Sequence, residues 1–132
     1  MNETRALITG TDFVFVPTTD FEKAAEFYGG VLGLPLSKRY RKGIGGEFET
    51  GNLTIQLVDT AKIGREFEPT SGAIALHVDD VEAARAELES RGVSFSGETM
   101  DSGVCFQAHF SDPDGNALIL HHRYAPPDVL PD

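Results

Sequence analysis

The sequence predicts an α+β fold in which two βαβββ modules share one domain. Three observations lead there. The first is an internal repeat: FVFVPTTDFEKAAEFY (13–28) aligns with AIALHVDDVEAARAEL (73–88), placing Asp20 on Asp80, Phe21 on Val81, Glu22 on Glu82 and Ala24 on Ala84. The second is that each copy runs from a β-prone apolar segment through an acidic cap into an amphipathic helix. The third is that several short extended segments, separated by turn residues, follow each helix. A chain of 132 residues is one domain by length and can bury a core without disulfide staples.

The elements follow in chain order. Phe13 to Val16 is a β-prone run stopped by Pro17. Asp20 is placed to accept hydrogen bonds from the first free amides of a helix. Phe21, Ala24, Ala25, Phe27, Tyr28, Val31 and Leu32 then recur at helical spacing, so one helix is expected to run to Leu32 before Gly33 and Pro35 end it. Extended segments are expected at 35–41, 46–50 and 53–59, with GIGG (43–46) read as a turn or mobile flap. Residues 61–72 form a linker between a first module at about 12–60 and a second at about 73–124. In the second, Asp79 or Asp80 caps, Val81, Ala84 and Leu88 face the core, and Gly92 stops the helix. Extended segments follow at 93–98, 103–110 and 117–123, the last entered through the turn DPDGN. There Asp112 and Asp114 can bond the turn backbone, Pro113 fixes φ, and Gly115 or Asn116 tolerates positive φ. A proline-containing tail, 125–132, is expected to trail over the surface.

Composition narrows the partners. A net charge of −10, from 21 acidic and 11 basic residues, repels phosphate backbones and argues against nucleic acid. The one cysteine, Cys105, offers no intrachain disulfide and fits a reducing compartment. No apolar stretch is long enough to cross a bilayer, and residues 1–12 carry no signal-peptide pattern, so a cytoplasmic protein with no membrane partner is expected.

The segments TDFEKAAEFYGGVLGLPL (19–36), ALHVDDVEAARAELESRGV (75–93) and FSDPDGNALILHH (110–122) resemble the vicinal oxygen chelate superfamily, which includes glyoxalase I, extradiol dioxygenases and bleomycin-resistance proteins. The resemblance spans nearly the whole chain and implies a cleft between curved sheets, usually in a homodimer. It specifies the fold much more than the activity. Metal-dependent members place His and Glu ligands on inward-facing strand positions. Carried over, these fall on Phe13, Gln56, Ala73 and Ile119, which offer one neutral side-chain oxygen among them. The family metal site is therefore expected to be lost, and no cofactor is implied.

Alternation along the strands then assigns the rest of the cleft. Phe13, Phe15, Gln56, Val58, Ala73, Ala75 and Ile119 are expected to line it, with Tyr40 as a further ligand-binding candidate from the basic cluster 39–42, which reads either as a solvated strand edge or as a rim that meets an anionic ligand. His77 and His121 share that face, while His122 points away. Cys105, Gln107 and His109 share a face whose side, inner or outer, the sequence leaves open. Three readings follow. A metal-free protein could bind a small, partly apolar organic molecule. A metal-independent isomerase, cyclase or lyase could use His121, His109 and His77 as acid and base. Those same three histidines could instead hold a displaced metal in a lyase or dioxygenase.

Overall fold

The computed structural model describes residues 6–128. The first module contains β1 (Phe13–Thr18), α1 (Phe21–Ala25), β2 (Leu36–Arg39), β3 (Gly45–Glu49) and β4 (Thr54–Asp59). The second contains β5 (Ile74–His77), α2 (Val81–Ser90), β6 (Phe95–Asp101), β7 (Cys105–Ser111) and β8 (Ala117–Arg123). Each module forms a four-stranded mixed sheet, ordered β1-β4-β3-β2 and β5-β8-β7-β6. In both, the first and last strands run parallel and the other pairs are antiparallel. The repeat seen in the sequence is thus a repeat of topology.

Both helices begin as expected. The carboxylate of Asp20 accepts from the amide of Lys23, and that of Asp80 from the amide of Ala83. The first helix departs from expectation after Ala25. Residues Glu26–Val31 widen into a π-helical turn, marked by the bond from the Leu32 amide to the Phe27 carbonyl at 2.9 Å. Gly29 and Gly30 are poor α-helix formers, and a Cβ on Gly29 would stand 3.3 Å from the Phe48 ring. Within this turn Tyr28 is completely buried and its ring packs against Phe27 and Phe48.

The apolar faces of both sheets meet in one core. Val16, Phe48, Ile55 and Leu57 pack with Phe21, Ala24 and Tyr28 in the first module. Ala108, Phe110, Leu118 and Leu120 pack with Val81 and Leu88 in the second, within the same cluster. Two stretches expected as loops prove to be partly ordered. Half of GIGG is not a free flap: Gly45 and Gly46 open β3, where a Cβ would lie 2.0 Å from the Leu57 carbonyl oxygen and 2.6 Å from that of Lys38, respectively. The linker starts with a short 3₁₀ turn at Thr60–Ile63. The expected fifth strand starts at Ile74, leaving Ala73 just before it. The end of the predicted tail, 129–132, lies outside the described residues.

The turn DPDGN joins the modules. Asp112 Oδ1 accepts from the amides of Asp114 and Asn116, both at 2.9 Å, and Oδ2 from the Tyr28 hydroxyl at 2.7 Å and the Asn116 side-chain amide at 2.8 Å. The same Asn116 nitrogen reaches the Pro17 carbonyl in β1, and its Oδ1 accepts from the amide of Thr70 in the linker. Asp114, expected to bond its own turn, instead receives the hydroxyls of Thr18 and Thr19. One pentapeptide of the second module thereby holds the end of β1, the π turn and the linker.

Two predictions follow from this latch. Asp112→Ala removes four hydrogen bonds and strands a buried phenol and a buried amide, so chemical denaturation is expected to show a loss of about 3 kcal/mol or more. The second concerns alkali. Burial first, and then the Asp112 carboxylate, push the Tyr28 phenol far above its ordinary value of 10.0. The unfolded chain releases that proton near pH 10 while the folded chain keeps it. The contribution of Tyr28 is complete below pH 10 and is lost as pH rises beyond it. Tyr28→Phe is expected to be less stable than the parent at pH 7, with the deficit shrinking in melts above pH 10.

Candidate functional site

Each sheet has a second face, turned away from the helix-packed core, and these two faces carry the candidate site. On the first sheet, register sets Phe13 beside Thr54 and Phe15 beside Gln56, then Thr54 beside Glu49 and Gln56 beside Glu47. Both phenylalanines are open to solvent, Phe13 at 54% and Phe15 at 36% exposure. Beside them runs a polar chain. The Gln56 side-chain amide donates to the Tyr40 hydroxyl at 3.0 Å, and that hydroxyl donates to Glu47. Partial burial, followed by the bond to Glu47, raises the Tyr40 pKa above that of an ordinary phenol, against a smaller lowering by Gln56. Farther along, Glu49 accepts from Thr54 at 2.6 Å and from Ser37, and these two bonds hold its carboxyl below the usual range. Val58, expected in the cleft, is on this face but only 5% exposed, packed between Pro17 and Gly45.

On the second sheet, parallel pairing places His77 beside His121 and Ala75 beside Ile119. The antiparallel partner settles the side of β7: Gln107 pairs with His121 and His109 with Ile119, so both share the face of His121. His109 Nε2 lies 3.3 Å from Gln107 Oε1, and Gln107 Nε2 lies 3.6 Å from the sulfur of buried Cys105. His77 is bound to Asp79 at 3.3 Å in an exposed pair. His122 turns to the other side, where it lines a hollow with Asp79, Asp80 and Phe106, and its ring centroid lies 5.8 Å from that of His77.

A cavity of about 610 Å³ lies elsewhere, between the modules behind β5. Leu34, Leu53, Ile74, Leu76 and Leu88 line it, and of the residues chosen from sequence only Ala75 and His77 border it. Its apolar walls belong to the side on which the helices pack. Sequence reasoning also missed Glu47 and Glu49. The signal was there in the period-two pattern of GEFE (46–49), but only the register with Gln56 and Thr54 shows which face these carboxylates take.

The donor set does not fit the metal that the fold implies. Phe13, Ala73 and Ile119 have no donor atom, and Gln56 supplies a neutral amide already tied to Tyr40. Among the described residues, no group of three or more His, Cys, Asp or Glu side chains is gathered in a way that could hold a metal ion.

A family model described as the Glyoxalase/Bleomycin resistance protein/Dioxygenase superfamily matches residues 10–120. The chain belongs to this superfamily. Its relatives include the YraH protein of Bacillus subtilis (strain 168), 28% identical over 114 residues, covering 77% of this chain and 89% of that one. In fold, this superfamily member resembles a glyoxalase family protein from Bacillus anthracis, with a TM-score of 0.77 and 24% identity, covering 91% of this chain and 99% of the other. It also resembles TnmS3, an antibiotic binding protein from Streptomyces sp. CB03234, with a TM-score of 0.74 and 29% identity over 90% of this chain and 99% of that one. Among the described residues no helix is long and apolar enough to cross a membrane.

The polar chain on the first sheet has a spectroscopic consequence. In an ultraviolet titration, the step that disappears in Tyr40→Phe is expected to lie above pH 10, and Glu47→Gln is expected to move it down by removing the carboxylate that opposes ionisation.

Proposed function

We propose that this superfamily member binds a small, partly apolar organic molecule on the open sheet faces, without the family metal. The observation that carries the reading is the pairing of two solvent-open phenylalanines, Phe13 and Phe15, with the hydrogen-bonded set Gln56, Tyr40 and Glu47 on one face. Apolar walls with a few fixed polar groups are the usual make-up of small-molecule sites. The likeness to an antibiotic binding protein supports the same reading. We place Ile119, Ala75 and His121 on the opposing wall and a second copy of the chain across the opening, because Phe13 and Phe15 stand exposed in the single chain.

One observation favours a second reading, acid–base catalysis. The His121 imidazole makes no hydrogen bond to another described residue, His121 stands between His77 and Gln107 in register, and His109 lies one row along. An imidazole with both ring nitrogens open to a ligand has the chemistry of a general acid or base.

The test is a screen of aromatic and polycyclic fragments read by amide chemical shifts, with light scattering on the same sample. Hits are expected to shift residues 13–15, 54–56 and 119–121, and the particle is expected to have twice the 14.3 kDa chain mass. Phe15→Ala should weaken a hit about 10-fold, roughly 1.4 kcal/mol. Shifts confined to the cavity walls at Leu34, Leu76 and Leu88 would sink the proposal. If a hit is turned over, His121→Ala separates the two readings: a catalyst loses ~10²-fold in rate, a binder only modest affinity.

A further inference from the structure

The open face of the first sheet is asymmetric in its hydrogen bonding, and that asymmetry selects a ligand. The Tyr40 hydroxyl has one proton, which it gives to Glu47. Its contact with Gln56 must therefore be one in which Gln56 donates, which fixes the orientation of the amide. Nε2 gives one of its two N–H groups to Tyr40, and Oε1, with no partner among the described residues, is open to a donor from a ligand. Glu47 and Glu49 are acceptors only, and the donors already bound to Glu49 leave it lone pairs to spare. The nearby cation is Lys38, which shares the row of Glu47 and whose Nζ stands 5.8 Å from the centre of the Tyr40 ring. In the paired rows of β2 and β3, Lys38 stands against two glutamates.

Resting on the small-molecule cleft proposed above, we infer that the ligand presents hydrogen-bond donors to this face, and that its preferred class is an ammonium carried on an aromatic body. Gln56 Oε1 and Glu47 receive the N–H groups. The faces of Phe13 and Phe15 receive the ring, and they attract a cation beside it as well. A carboxylate of the same shape meets repulsion from Glu47 and leaves Gln56 Oε1 without a donor, so it is rejected.

Two matched probes test this, 2-naphthylmethylammonium and 2-naphthoate, titrated into the full chain and followed by amide chemical shifts. The ammonium is expected to bind at least about 10-fold more tightly, with shifts at 13–15 and 47–56. Glu47→Gln is expected to abolish the preference, whereas Glu68→Gln, which removes the same charge from the exposed linker, leaves it intact. Phe15→Ala is expected to weaken both probes alike. Because Glu47 is partly exposed, its variant should melt with the parent, which separates lost recognition from lost folding. Equal or tighter naphthoate binding at 13–15 overturns the donor rule while leaving the cleft standing. So does an ammonium preference that survives Glu47→Gln, since net charge alone would then explain it. Binding of neither probe at these residues overturns both the rule and the cleft.

Discussion

The carboxylate of Asp112 is the group on which the two-module arrangement turns. It is buried, and it stands among donors from its own turn, from Asn116 and from Tyr28 in the other module. A buried charge is tolerated only when its lone pairs are filled, and here both oxygens are. The requirement works in both directions. Tyr28 can sit fully inside the core because Asp112 accepts a hydrogen bond from its hydroxyl, and Asp112 can remain inside because Tyr28 and Asn116 donate to it. Asn116 then extends the network to the β1 backbone and the linker. The relative placement of the modules is set by directional bonds as well as by apolar contact.

Much of this frame was legible in the sequence, for reasons that differ by element. The caps at Asp20 and Asp80 follow from local chemistry, so reading them needs no tertiary knowledge. The shared face of His77 and His121 was read from strand alternation, and the parallel register of β5 and β8 sets the two side by side. The π turn at Glu26–Val31 was not legible: an apolar pattern at three- and four-residue spacing is compatible with either a tight or a wide turn. The choice rests on Gly29 and Gly30 and on where Tyr28 must point. The latch was half legible. DPDGN announced a turn, but nothing local says that Asp114 will leave it for Thr18 and Thr19.

The candidate site divides in the same way. Alternation correctly separated His121 from His122, because a period of two survives any error in strand ends. It misjudged Val58, which has the right parity but sits where Pro17 and Gly45 close over the strand. Parity says which side a residue faces and not how deep it lies. Glu47 and Glu49 show the converse, two residues of right parity on a strand whose position in the sheet had to be known first. That Phe13 and Ile119, where the resemblance puts ligands, offer no donor atom was readable as chemistry alone, since no fold can make a hydrocarbon coordinate a metal.

The latch and the common core both lie behind the sheets, whereas the open faces lie in front. Along β1, β4 and β8 one parity packs into the core, and the other, apart from the buried end of β4, faces outward. Replacements at Phe13, Gln56 or Ile119 leave the Asp112 network and the packed side of β1, β4 and β8 untouched. Evolution can therefore rewrite the front of this scaffold with little loss of stability. The groups carried on the front can change in kind while the folding problem stays the same.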